Sequence, residues 1–146
     1  MGLITVLEEN IKKEHQKNWM LYLSFEKHLV ESNFDWVELI INEKNKSLIG
    51  KGKLIIGSKS YGILLSYSPF HTHRYDRIYI DDTTIKFNDS IHLYRDMSLC
   101  LYHPRIDKPL FKAVHLYQML PWITEWIVFY EKWKKYGIWL GREIKH

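Results

Sequence analysis

The first part of the chain alternates apolar and charged residues with a period close to that of an α-helix. From Leu3 to Val30 the apolar side chains recur at roughly helical spacing between charged residues. Such a period places one apolar stripe along a helix. The pattern therefore predicts an amphipathic helix of about seven turns over Leu3–Val30.

The following segments change to the alternation that is typical of β-strands. Polar or glycine-containing connections of hairpin length separate the first three runs. The predicted strands are Phe34–Ile41, Leu48–Ile56, Tyr61–Tyr67 and Arg77–Ile80. The short connections predict a three-stranded antiparallel meander, and the fourth run extends it to four strands.

From Asp81 to about Pro109 no period is sustained, and the pattern predicts a long irregular loop. A loop of this length is uncommon in a compact domain unless it is functional, and Cys100 lies inside it. Pro121 is placed to open a second helix, which should end near Gly137. The order of elements predicts an α+β fold in a single domain, residues 1–146.

Composition then excludes several classes of protein. The 146 residues, of which 46% are hydrophobic and 26% charged, suffice for one core. No run approaches the roughly 20 apolar residues of a membrane-spanning helix, and the start of the chain lacks the pattern of a secretory signal. We therefore expect a cytoplasmic protein without a membrane partner. The net charge of +4 is dispersed along the chain, so nucleic acid is not an expected partner.

Cys100 is the only cysteine, so it cannot form an internal disulfide and serves either packing or reactivity. Its polar neighbours Arg95, Asp96 and Ser98 favour an accessible, reactive thiol. Cysteine is nevertheless among the residue types most often buried. The residues alone leave both roles open.

The sequence around Cys100 resembles the active-site segment of ubiquitin-conjugating enzymes. In that family His-Pro-Asn is followed by a Tyr, an Asp-Gly and a Cys-Leu pair. The positions that match in register are Tyr94, Asp96, Ser98, Cys100 and Leu101. Upstream, Tyr67–Phe70 looks like the family's Tyr-Pro stretch before its fourth strand. The chain departs from the family at Ile91, which replaces Pro, and at Met97, which replaces Gly.

Leu99–Pro104 and the end of the chain are more similar to the short conjugating-enzyme-like proteins of type II CBASS antiphage systems. Those share Leu-Cys-Leu-Tyr-x-Pro and an ending with Trp, Tyr-Glu, Trp, Gly, Trp, Gly, Glu and His. The resemblance follows the whole chain in order. It implies a ubiquitin-conjugating-enzyme-like fold with an N-terminal helix, a four-stranded antiparallel meander, an active-site loop and a C-terminal helix.

The resemblance also implies a reaction that uses no cofactor. Cys100 is expected to accept the C-terminal tail of a ubiquitin-like protein as a thioester and to transfer it to an amine. In CBASS the carried protein is implied to be the CD-NTase, the nucleotidyltransferase that makes the cyclic oligonucleotide signal. The acceptor amine and the need for a separate activating enzyme stay open. The alternative is a non-catalytic binding module of the same fold.

His92 is the expected helper of Cys100, because it stands where the conjugating enzymes have the Asn of His-Pro-Asn. An imidazole N–H can stabilise a tetrahedral oxyanion as an amide does. His92 could also act as a base, or only brace the loop. Tyr94 and Asp96 are expected to fix the shape of the loop.

The remaining candidates are further histidines and the aromatic tail. His103 could tune the thiolate or contact the incoming tail, although a lone loop histidine is more often only solvated. His71 and His73 form His-x-His, but no third ligand is evident and no metal site is predicted. Three aromatic residues, Trp133, Tyr136 and Trp139, exceed what one helix face can bury, so some of them are expected to contact the partner.

Overall fold

The architecture follows the predicted order of helices and strands. The computed structural model describes residues 13, 17–70, 74–101 and 115–141. In these ranges the elements are α1 (Trp19–Asn33), β1 (Val37–Asn42), β2 (Ser47–Ile56), β3 (Lys59–Tyr67), β4 (Asp76–Ile80), a 3₁₀ helix (Asp89–Ile91) and α2 (Leu116–Tyr136). The predicted α+β fold is confirmed.

Helix α1 presents a narrow stripe to the core. Its buried residues are Leu23, Glu26 and Val30, which recur at the predicted helical spacing. The helix ends where Phe34 adopts extended backbone and donates its N–H to the Val30 carbonyl at 2.9 Å. The C-terminal half of the predicted helix is thus confirmed and extends to Asn33. Residues 3–12 and 14–16 of the prediction lie outside the described residues.

The four strands pair as an antiparallel meander in the order β1-β2-β3-β4, as predicted. The β2–β3 connection is shorter than expected, because Ile56 pairs with Lys59 across a two-residue turn. Gly57 takes φ 63° in that turn, a backbone region that favours glycine and suits a two-residue hairpin. Strand β1 begins at Val37, three residues later than predicted.

One face of the sheet and the buried faces of both helices form a single hydrophobic cluster. Its largest fully buried side chains include Leu23, Leu48, Ile63, Tyr67, Ile78, Leu99, Leu116, Leu120, Ile123 and Ile127. The loop after β4 contributes to the same core through Ile91 and Leu99. Within the described ranges, no helix is both long and apolar enough to cross a membrane.

Helix α2 begins at Leu116, so the expectation that Pro121 opens it is wrong. The reason lies in α1, where the buried carboxylate of Glu26 caps the new helix. Glu26 Oε1 accepts the Tyr117 N–H at 3.1 Å, and Oε2 lies 2.9 Å from His115 Nδ1. A carboxylate at a helix N-terminus satisfies a free N–H and favours the helix dipole. This capping allows the helix to begin one turn before the proline.

Glu131 links α2 to the beginning of β3. Its Oε1 accepts hydrogen bonds from the Tyr61 hydroxyl at 2.5 Å and the Lys59 ammonium at 2.9 Å, and Lys134 lies 3.2 Å from Oε2. Burial opposes ionisation of Glu131, but these three partners outweigh it and lower the pKa from 4.5 to about 2. Because the folded pKa is lowered, the stabilisation is complete above pH 4.5 and is lost as the pH falls toward 2.

We expect Glu131→Gln to lower the free energy of unfolding at pH 7 by about 1 kcal/mol, a value discounted for the partial exposure of the carboxylate. The difference from the wild type should shrink as the pH falls from 4.5 toward 2. Urea denaturation at pH 7 and at low pH measures it, with Glu125→Gln, exposed on the same helix, as the control. An equal loss at both pH values would contradict this assignment.

Candidate functional site

The loop after β4 is built around a short hairpin rather than being irregular. Asn88 Oδ1 accepts the Ser90 N–H at 2.8 Å and so caps the 3₁₀ helix. Beyond that helix, Leu93 and Leu99 form an antiparallel bridge. The Leu99 N–H donates to the Ile78 carbonyl at 2.8 Å, which fastens the hairpin to β4. The loop is therefore fixed to the sheet by main-chain hydrogen bonds.

Within this hairpin the main chain places Cys100 opposite His92. The Cys100 N–H donates to the His92 carbonyl at 3.0 Å, and the Tyr94 N–H donates to the Ser98 carbonyl at 2.9 Å. The expected nucleophile and its expected helper are thus adjacent across two paired segments. The structure brings together four of the five predicted site residues: His92, Tyr94, Asp96 and Cys100.

Two residues of the hairpin have left-handed backbone. His92 has φ 54° and Met97 has φ 73°. These are the positions where the conjugating enzymes carry Asn and Gly, the residues that tolerate this conformation best; His is also enriched there. The backbone thus gives a physical reason for both family residues. The register of the resemblance agrees with the geometry.

A cluster of polar groups holds the tip of the hairpin. Asp96 Oδ1 accepts hydrogen bonds from the Ser98 N–H at 2.9 Å and the Ser98 hydroxyl at 2.6 Å. Arg74 Nη2 donates to the Ser98 oxygen at 2.6 Å, and its guanidinium lies 3.4 Å from the centroid of the Tyr94 ring. Asp96 Oδ2 lies 3.5 Å from both Arg74 and Arg77. Asp96 therefore connects Ser98 with the two arginines at the tip of the hairpin.

The groups around Asp96 stabilise its negative charge. Burial acts to raise the pKa of its carboxyl, but the two hydrogen bonds from Ser98 and the two arginines outweigh burial, so the pKa lies below its ordinary value.

Arg74 was missed by sequence reasoning. It stands 24 positions before Ser98, and nothing in its local pattern marks it as a site residue.

Cys100 is 4% exposed, which contradicts the expectation of an accessible thiol. The polar residues that suggested accessibility form the tip of the hairpin, after which the chain returns into the core. Ser98 and Leu99 are 0% and 1% exposed. Neighbouring groups therefore cover the Cys100 thiol.

Tyr94 contacts the nucleophile as well as shaping the loop. Burial first, then the charge of Cys100 and a side-chain hydrogen bond with it, raise the pKa of Tyr94 well above its ordinary value, while Arg74 opposes the shift. The phenol thus remains protonated at neutral pH and can donate to the sulfur. Sequence reasoning assigned Tyr94 a shaping role only, because the contact depends on how the hairpin folds.

The other candidate histidines, His71, His73 and His103, lie outside the described residues. Among the residues that are described, no group of three or more metal-ligating side chains comes together.

The site consists of a thiol, an imidazole and a phenol, held by a hairpin and an arginine-centred cluster. This set suits acyl transfer through sulfur, with a thiol and hydrogen-bond donors in the same hairpin.

One family model matches most of the chain. A family model described as Type II CBASS E2 protein matches residues 26–146, a span that includes the sheet, the hairpin and α2. A search of curated proteins found no significant match.

Ser98→Ala should lower the free energy of unfolding by about 2 kcal/mol, because it removes a buried hydroxyl that both donates to Asp96 and accepts from Arg74. Urea denaturation followed by circular dichroism measures the loss. Ser90→Ala, at an exposed position of the same loop, is the matched control and should change stability by less than about 0.5 kcal/mol. Equal stability of the two variants would show that the cluster does not hold the hairpin.

Proposed function

The chain belongs to the type II CBASS E2 protein family, and we therefore propose that Cys100 carries the C-terminus of a partner protein as a thioester. The family places the protein in CBASS antiphage defence with a conjugating-enzyme-like role. The observation that carries the proposal is the pairing of Cys100 with His92 across the hairpin, at 3.0 Å between N–H and carbonyl.

The reaction has two steps. The Cys100 thiolate attacks the carbonyl carbon of an activated C-terminus, and the activating group leaves with the bonding electrons. An amine then attacks the thioester, a tetrahedral oxyanion forms, and its collapse yields an amide and releases the thiolate. The amine gives up a proton in this step, and the released thiolate or solvent accepts it. The activated carboxyl is supplied to this chain from outside it.

His92 supports the second step as a hydrogen-bond donor to the oxyanion. Tyr94 supports the first, because a phenol that donates to the Cys100 sulfur favours the thiolate over the thiol. Arg74 lies against the Tyr94 ring and brings a positive charge close to the same place. Together these groups favour negative charge on the sulfur and on the oxyanion, where the reaction develops it.

The partner we propose is a CD-NTase whose C-terminal tail reaches Cys100. This assignment rests on the resemblance to the short CBASS proteins and on the family match. Binding of the tail has to expose the thiol, since Cys100 is 4% exposed in the unbound chain. The acceptor is an amine of another molecule.

The burial of Cys100 favours a second candidate, a non-catalytic binding module of the same fold. In that case the cysteine is a core residue and the surface recruits the partner. The two candidates differ in one outcome: protection against phage depends on the sulfur in the first and not in the second.

In cells that express the protein with its CBASS partners, a covalent adduct should run on a gel without reductant and disappear when thiol is added. Cys100→Ala should abolish this adduct and phage protection together. Cys100→Ser should convert it to an oxyester that resists mild thiol and is cleaved by hydroxylamine. Unchanged protection by a folded Cys100→Ala variant would instead support the binding module.

His92→Asn should retain amine transfer within about threefold, while His92→Gly should slow it on the order of 100-fold. Both Asn and Gly accept the left-handed backbone of position 92, but only Asn keeps a donor. The rate of discharge of the isolated thioester to an added amine measures the effect. If the Asn variant is as slow as the Gly variant, His92 acts by proton transfer and not as an oxyanion donor.

A further inference from the structure

The chain turns back onto α2 after the helix ends. Gly137 takes φ 75°, and its N–H donates to the Trp133 carbonyl at 2.7 Å, which closes the helix. Two residues later the Trp139 ring packs against α2, with its centroid 5.6 Å from Trp126 and 5.8 Å from Phe129. This return brings an aromatic ring of the tail toward the hairpin.

Gly141 shows how closely this return is packed. A Cβ at this position would lie 2.6 Å from the Phe129 ring and 3.0 Å from Nε1 of Trp139. Such distances are below van der Waals contact, so only glycine fits there without displacing the rings. The tail segment is therefore held on α2 by a specific fit.

The rings on and after α2 hold His92 at two points. The indole Nε1 of Trp126 donates to the His92 carbonyl at 3.1 Å. The imidazole itself stacks on Trp139, with ring centroids 4.9 Å apart and planes inclined by 21°. Trp126 thus fixes the backbone of His92, and Trp139 contacts the ring that the proposed reaction uses.

We infer that Trp139 is a positioning residue for amine transfer, because its stack fixes the orientation of the imidazole of His92, the residue whose carbonyl accepts the Cys100 N–H. The inference rests on the proposed function of His92. The second side-chain torsion of histidine has broad minima, so an unsupported ring samples several orientations. A donor contributes most when it is already oriented toward the developing oxyanion, and small misplacements slow catalysis strongly.

The test compares thioester formation with thioester discharge in single-turnover reactions, using the protein loaded with its partner and excess free lysine as the amine. Trp139→Leu should load Cys100 to the wild-type extent but discharge roughly tenfold more slowly. Trp139→Phe keeps an aromatic face and should restore most of the rate. Trp133→Leu, which removes a ring that stacks on Tyr130 at 6.0 Å, is the matched control and should discharge like the wild type.

A double-mutant cycle separates positioning from general loss of structure. In a His92→Gly background, Trp139→Leu should cause no further slowing, since the ring that it positions is already gone. The His92 ring-proton resonances give an independent signature, because removal of the indole ring current should shift them downfield in Trp139→Leu.

If the loaded wild type and Trp139→Leu discharge at the same rate, the inference is wrong while the proposed function stands. Equal slowing by Trp139→Leu with and without the imidazole also overturns the inference. If the wild type forms no thioester at all, the proposed function itself fails, and the inference fails with it.

Discussion

The backbone carbonyl of His92 joins three parts of the structure. It accepts the N–H of Cys100 at 3.0 Å and the indole N–H of Trp126 at 3.1 Å, while its own residue has a left-handed backbone. One oxygen thus connects the hairpin segment of His92, the hairpin segment of Cys100, and α2. A shift of α2 would therefore move the cysteine and His92 together, which keeps their relative geometry constant.

Charged and polar side chains hold the tip of the hairpin, while burial in the core holds its base. Hydrogen bonds and ion pairs join Arg74, Asp96 and Ser98 at the tip, and Arg74 also lies against the Tyr94 ring. At the base, Leu99 and Cys100 enter the core. This division fixes the position of the sulfur but covers it, so the reaction proposed for Cys100 requires its partner to open the site.

The sequence predicted those features that repeat along the chain and missed those that depend on contacts between distant segments. The alternation in β2 and β3 was sufficient to predict the meander. The motif of the loop was sufficient to select Cys100 and His92, which lie opposite each other in the hairpin. The start of α2 was not predictable, because its capping carboxylate, Glu26, comes from α1. The burial of Cys100 and the stack of Trp139 on His92 likewise arise only when the hairpin and the tail meet.

The central claim is that Cys100 carries a whole protein as an acyl group. Intact-mass spectrometry under acidic, non-reducing conditions tests it most directly, on the protein purified after co-expression with its CBASS partners. If Cys100 is the carrier, a species heavier by the mass of one partner less one water should appear, with the increase localised to Cys100 by fragmentation and removed by thiol. Detection of only the unmodified mass in cells that are protected against phage would contradict it.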